Sequence, residues 1–161
     1  MTFGWKFYVS LAERLLTNPA CGDDPELRDS EVQSNYRAAL SRAYYGVFGT
    51  AYDYLRDTEH DFALNMPILQ QQGQVFTAAQ IQEVETGTKF IHDYVIRQLS
   101  RTTHDQRKDG LRRGLRQVLS SLRERRVEAD YRQGLHYDRR TIRVSIDDAK
   151  TALNYLQQLC R

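Results

Sequence analysis

The side chains best suited to chemistry in this chain sit on helical stripes that are otherwise apolar. Apolar residues recur at Leu111, Leu115, Val118, Leu119 and Leu122, and the next positions in phase are 126 and 129. Position 126 is an arginine. A guanidinium on a buried stripe must be hydrogen-bonded, because burying it unpaired is costly. Asp130 lies four residues on and pairs with Arg126 if the helix continues. His92 falls in phase with Ile81, Val84, Thr88, Ile91, Val95 and Leu99. Arg42 and Tyr45 flank a third stripe, formed by Tyr36, Leu40, Ala43, Tyr44, Val47, Phe48, Ala51 and Leu55. Arginine forks recognise phosphate and carboxylate in two-toothed geometry, and several polar groups converging between three helices would make a site. The blander reading gives each group a structural role. Arg126–Asp130 is then a buried pair that fixes helix docking, and His92 a core histidine donating to a carbonyl. Tyr44 and Tyr45 become core aromatics with wet hydroxyls.

These groups are carried by helices throughout. No segment alternates with period 2, and the three prolines (Pro19, Pro25, Pro67) fall in stretches that read as loops. A first helix is expected from Trp5 to Thr17, with Tyr8, Leu11, Leu15 and Leu16 on one face. Asn18 to Arg28 reads as a loop. Ser30-Glu-Val-Gln33 has the form of a capping box and predicts the start of a second helix, ending near Asp57. Thr58 to Val75 reads as a long polar loop, mobile or functional. Thr77-Ala-Ala-Gln80 is a second capping box and predicts a third helix reaching Leu99. A fourth begins between Asp105 and Leu111. Asp130 to Arg143 reads as a charged connection, and Ser145-Ile-Asp-Asp148 as the cap of a last helix. Four or five amphipathic helices without strands predict an all-α fold, an antiparallel up-and-down bundle forming one domain over residues 1–161.

Composition narrows the function classes. The 161 residues suit one globular domain, at 40% hydrophobic and 27% charged. No apolar run reaches membrane-spanning length, and Glu13 and Arg14 interrupt the only apolar stretch near the N-terminus. Cys21 and Cys160 form neither a metal-ligand spacing nor a disulfide framework. A cytoplasmic protein without a membrane partner is expected. The histidines (His60, His92, His104, His136) are scattered, so no metal is expected, and no Gly-rich loop cradles a phosphate cofactor. Gly110-x-x-x-Gly114 sits in a polar, Arg-rich stretch and is no such cradle. Net charge is +2, but it is segregated. Arg97 to Arg143 holds 14 Lys+Arg against 6 Asp+Glu, and the remainder 9 against 15. A basic end can hold a polyanion; the plainer alternative is a solvated helix face.

Four pieces of this sequence together resemble a HEPN domain, the helical nucleotide- and RNA-associated domain. Ser41-Arg42-Ala43-Tyr44-Tyr45-Gly46-Val47-Phe48 is similar to the family's S-R-A-Y-Y-A-x-F. His92-Asp93-Tyr94-Val95-Ile96 is similar to H-x-x-V-I. Leu122-Arg123-Glu124-Arg125-Arg126-Val127-Glu128-Ala129-Asp130-Tyr131 is similar to L-R-x-x-R-N-x-A-D-Y. Ser145-Ile-Asp-Asp148-Ala149 is similar to S-x-x-D-A. The pieces span residues 30 to 160 in the family's order. The resemblance implies a four- or five-helix bundle, commonly a homodimer with its motif near the dimer cleft. Many such domains are metal-independent ribonucleases of toxin–antitoxin and antiviral defence systems, using an R-x(4–6)-H motif. The Arg stabilises charge developing on phosphate, and the His transfers a proton.

The motif is degenerate here. Arg126 matches the Arg, but Val127 replaces the usual polar residue, and four intervening residues lead to Tyr131 instead of His. An unperturbed phenol, with a pKa of about 10, is a poor base at neutral pH. His136 has nine residues between it and Arg126, outside the spacing. Arg97 and His104 satisfy R-x(6)-H formally, on the third helix and its exit loop. The expected site is therefore Arg126 with His92 and Tyr131, supported by Asp130, Arg42, Tyr45 and Arg123. Three functions follow. One is an RNA- or nucleotide-directed protein, binding or cleaving without a metal. Another is a non-enzymatic partner of a nucleotidyltransferase or defence complex. The third is a helical interaction module.

Overall fold

A computed structural model describes residues 4–17, 24–132 and 134–161. Cys21 lies outside the described residues. Every regular element among them is helical: α1 (Lys6–Thr17), α2 (Pro25–Asp53), α3 (Phe62–Gln71), α4 (Ala78–Thr88), α5 (Ile91–Gln98), α6 (Gln106–Tyr131) and α7 (Arg139–Leu159). A π-helical turn, Tyr54–Thr58, continues α2. Among the described residues no helix is long and apolar enough to cross a membrane.

Four helices make the core. α2 packs against α1, α6 and α7, and α7 also meets α1 and α6. Side-chain contacts set their directions. Arg125 of α6 reaches Asp148 of α7 at 2.8 Å, while a Cβ on Gly114 would meet Tyr155 near the other end. Arg37 in the first half of α2 reaches the end of α6, and Arg112 near the start of α6 reaches Glu59 beyond α2. Both pairs are therefore antiparallel. The buried stripe predicted for α2 is the centre: Leu40, Ala43, Tyr44, Val47 and Ala51 are at most 1% exposed. α1 lies close over it because Gly46 and Gly49 carry no side chain. A Cβ on Gly49 would stand 2.0 Å from the Trp5 ring.

The described residues form seven α-helices where four or five are expected, and the reasons are local. α2 starts at Pro25, not at Ser30. Asp24 accepts from the Glu26 amide at 3.0 Å, and Pro25 needs no donor in the first turn. The stretch read as a polar loop from Thr58 to Val75 contains α3, capped by Asp61, with Leu64 and Met66 buried. Pro67 is tolerated inside it. The helix predicted from Thr77 to Leu99 is two helices, α4 and α5, broken after Gly87-Thr88, where helix propensity is low. The Thr77–Gln80 capping box is present. The charged connection is shorter than Asp130 to Arg143, because α6 runs to Tyr131 and α7 starts at Arg139. Asp138 caps α7, accepting from the Thr141 amide at 2.7 Å. Ser145 is instead fully buried inside α7, where its Oγ accepts from Arg125 at 3.0 Å.

Candidate functional site

Three elements bring the expected residues together: the middle of α2, the first turn of α5 and the last turns of α6. Tyr45 of α2 is the shared surface. The Arg126 guanidinium carbon lies 5.4 Å from the Tyr45 ring centre, and the His92 ring lies 6.1 Å from it, edge-on. Tyr131, the last residue of α6, has its ring centre 5.9 Å from the same guanidinium carbon. Its side chain is 73% exposed.

Arg126 is held at one end and open at the other. Its Nε lies 2.7 Å from Asp130 Oδ2. The N–H is not directed at the oxygen, so the contact is ionic and this buried nitrogen makes no hydrogen bond. Its two Nη groups make no hydrogen bond among the described residues and are not among the buried unpaired atoms. A fork with both prongs open, flanked by two ring faces, is built to take an oxyanion.

His92 is oriented from below. Its Nδ1 lies 2.6 Å from the Tyr44 hydroxyl, and Phe48 packs against its ring at 4.3 Å between centres. Burial pushes the Tyr44 phenol well above its ordinary value, so the hydroxyl keeps its proton. Among the described residues that proton has one hydrogen-bond partner, His92 Nδ1. The neutral tautomer assigned is therefore protonated on Nε2. Burial first, then the charges of Arg123 and Arg126, lower the His92 pKa below 6.5, while Asp93 opposes them. As pH falls below 6.5, the unfolded chain takes up a proton that folded His92 refuses, so this group subtracts stability. NMR should find the His92 midpoint below 6.5 and the nitrogen shifts of an Nε2-protonated ring. A midpoint at or above 6.5 would overturn this assignment.

Arg123 is turned away from the fork. It holds Asp93 through both prongs, Nη1 on Oδ1 and Nη2 on Oδ2. That hydrogen bond from Arg123 keeps the Asp93 carboxyl below its usual range. Arg42, expected at the site, sits over the Tyr8 ring of α1 at 5.3 Å. The formal Arg97–His104 pairing is not made: Arg97 donates to the Gly87 carbonyl at 3.2 Å, and His104 is exposed.

Sequence reasoning missed two supports. Arg37 donates to the carbonyls of Ala129 at 2.5 Å and Leu135 at 2.9 Å, and so holds the end of α6 that presents Arg126 and Tyr131. Asp93 follows His92 in the chain, but its partner is 30 residues away and nothing local announces it. Among the described residues, no group of three His, Cys, Asp or Glu is placed to hold a metal. Comparison with protein-family models, with curated proteins and with solved structures finds no match to this chain.

Proposed function

We propose that this chain is a HEPN-type protein that binds RNA through a degenerate form of the family's motif, without strong catalysis. The observation that carries the reading is the open Arg126 fork between Tyr45 and Tyr131, beside the neutral His92 ring. Arg126 takes a backbone phosphate, and His92 Nε2–H can donate to an oxygen of the same strand. Tyr131 offers an exposed face on which a base stacks, a contact that accepts any base. Chemistry is weak because a ring already protonated on Nε2 cannot take a proton there, and its low pKa leaves little imidazolium to give one. A dimer that brings two such sites together fits the resemblance. So does a role in a toxin–antitoxin or defence locus.

The ionic contact of Arg126 with Asp130 supports a second reading, in which the pair only fixes the end of α6 and the chain serves as a non-enzymatic partner subunit. RNA binding separates the two. Fluorescence anisotropy with a short single-stranded RNA should give affinity that falls steeply with salt. Arg126→Ala should weaken it roughly tenfold, and Arg126→Lys should recover only part, since the fork is lost. Cleavage in EDTA should be weak or absent. An Arg126→Ala variant that binds RNA like the parent protein would leave the partner reading standing.

A further inference from the structure

We infer that the junction of α5 and α6 holds a second phosphate site, which takes the backbone of the same RNA strand some distance from Arg126. This inference rests on the RNA-binding reading above. A pocket of about 200 Å³ opens there, lined by Ser100, Arg101, Thr102, Asp109, Arg113 and Arg116. Three guanidinium groups and one carboxylate line it, and Arg101 also lines the neighbouring cavity with Asp61 and Glu83. Arg101 and Arg113 are exposed and make no ion pair among the described residues. Arg116 donates to Ser100 Oγ at 3.2 Å, a neutral partner that leaves its charge uncompensated. Asp109, the one acid of the lining, accepts from the Thr103 amide at 2.7 Å and stays ionised, so three positive charges stand against one negative.

The carbonyls that end α5 would repel an anion if they were bare. They are covered. The Gln98 carbonyl accepts from Arg112 Nη2 at 2.6 Å and from the Arg101 amide at 3.1 Å. The Arg97 carbonyl accepts from the Ser100 amide at 3.0 Å. The Ser100 hydroxyl donates to the Ile96 carbonyl at 3.2 Å, so what remains in the pocket is arginine forks with the Thr102 hydroxyl, donors of the kind that contact nucleic-acid phosphates.

Position along α6 selects a polymer over a single nucleotide. Arg113 precedes Arg126 by 13 residues, about 20 Å of helix. Arg116 precedes Arg123 by seven residues, two turns, so both share a face of α6, on which Arg123 is already paired with Asp93 beside His92. A strand of several nucleotides reaches both ends of this track, and one nucleotide reaches only one.

The test measures binding of a single-stranded RNA of about 12 nucleotides, within the range of single-strand site sizes. Uridine monophosphate and inorganic phosphate serve as separate probes. Arg101→Ala/Arg113→Ala should weaken the oligonucleotide roughly tenfold at low salt and make its salt slope shallower by about 1.4, two contacts of about 0.7 each. Arg101→Lys/Arg113→Lys should keep the slope. Both residues are exposed, and circular dichroism confirms that the variants are folded. Unchanged affinity and slope in the alanine pair overturn the site. Loss of free phosphate binding with unchanged oligonucleotide binding also overturns it, since the pocket would then take small anions only. If Arg126→Ala binds normally while the alanine pair does not, the second site stands and the Arg126 reading falls. A parent protein that binds no RNA overturns both.

Discussion

The Tyr131→His variant is expected to cleave RNA without a metal faster than the parent protein does. Residue 131 ends α6 with its side chain 73% exposed, and its ring faces the Arg126 guanidinium at 5.9 Å. The substitution restores the R-x(4)-H spacing of the family that the sequence resembles. An imidazole in this wet position titrates near neutrality and is free at both nitrogens, as His92 is not. A positioned acid or base contributes about 10²–10⁴-fold. The rate in EDTA should therefore rise by that order, with a bell-shaped pH profile. Adding Arg126→Ala should remove the gained rate, because the charge developing on phosphate would lose its fork. The site is exposed, so the variant should fold as the parent does, and thermal unfolding checks it. The idea sinks if Tyr131→His binds RNA as tightly as the parent and still cleaves nothing. Position 131 would then not be the motif position, and the degenerate-motif reading of α6 would fall with it.

Much of this arrangement was legible because it repeats. The α2 and α6 stripes follow the helix period over many turns, so their faces, and the phase that puts Arg126 on the second, are written locally, whereas the stripe that carried His92 is divided by the break between α4 and α5. The Arg126–Asp130 contact is one helical turn and is readable for the same reason. The pairings that span the fold were not. Arg123–Asp93, Tyr44–His92 and Arg37 with the Ala129 carbonyl join residues 30, 48 and 92 positions apart. Their partners are fixed by how helices dock, which no window of sequence contains. Helix ends failed for a different reason. Ser30 and Ser145 both head capping-box patterns, yet each lies inside a longer helix, because Asp24 and Asp138 cap earlier and the interior serines are free for other bonds. Arg42 was misplaced because flanking a stripe does not say which neighbour it flanks. α1, the helix that covers it, lies outside the span of the resemblance.

The largest loss of stability should come from Arg112→Met, far from the open fork. Arg112 is 2% exposed on α6. Its Nη1 holds the Glu59 carboxylate, and its Nη2 donates to the Gln98 carbonyl at 2.6 Å. Tyr54 also donates to Glu59, and burial raises its phenol pKa, so it keeps the proton it donates. The π-helical turn makes this possible: its wider winding closes with the Glu59 amide on the Tyr54 carbonyl at 3.2 Å and brings Glu59 back over the core. Removing one partner of a buried pair costs roughly 3–5 kcal/mol, and the lower end applies because Glu59 keeps 29% of its side chain in water. Urea unfolding at neutral pH should report about 3 kcal/mol lost. The pH dependence separates charge from packing. Burial works against the charged form of Glu59, but the hydrogen bonds from Arg112 and Tyr54 outweigh it and hold the carboxyl below 4.5. A depressed carboxyl contributes stability above its unfolded value and loses it as pH falls through the folded one. The parent protein should therefore weaken below pH 4.5, and Arg112→Met should flatten that part of the curve. Arg112→Met/Glu59→Gln should recover part of the loss, since no charge is then left buried alone. A variant with unchanged urea midpoint, or with the parent's acid sensitivity intact, would show that Arg112 is held by packing alone and that the π-helical turn has no ionic reason to exist.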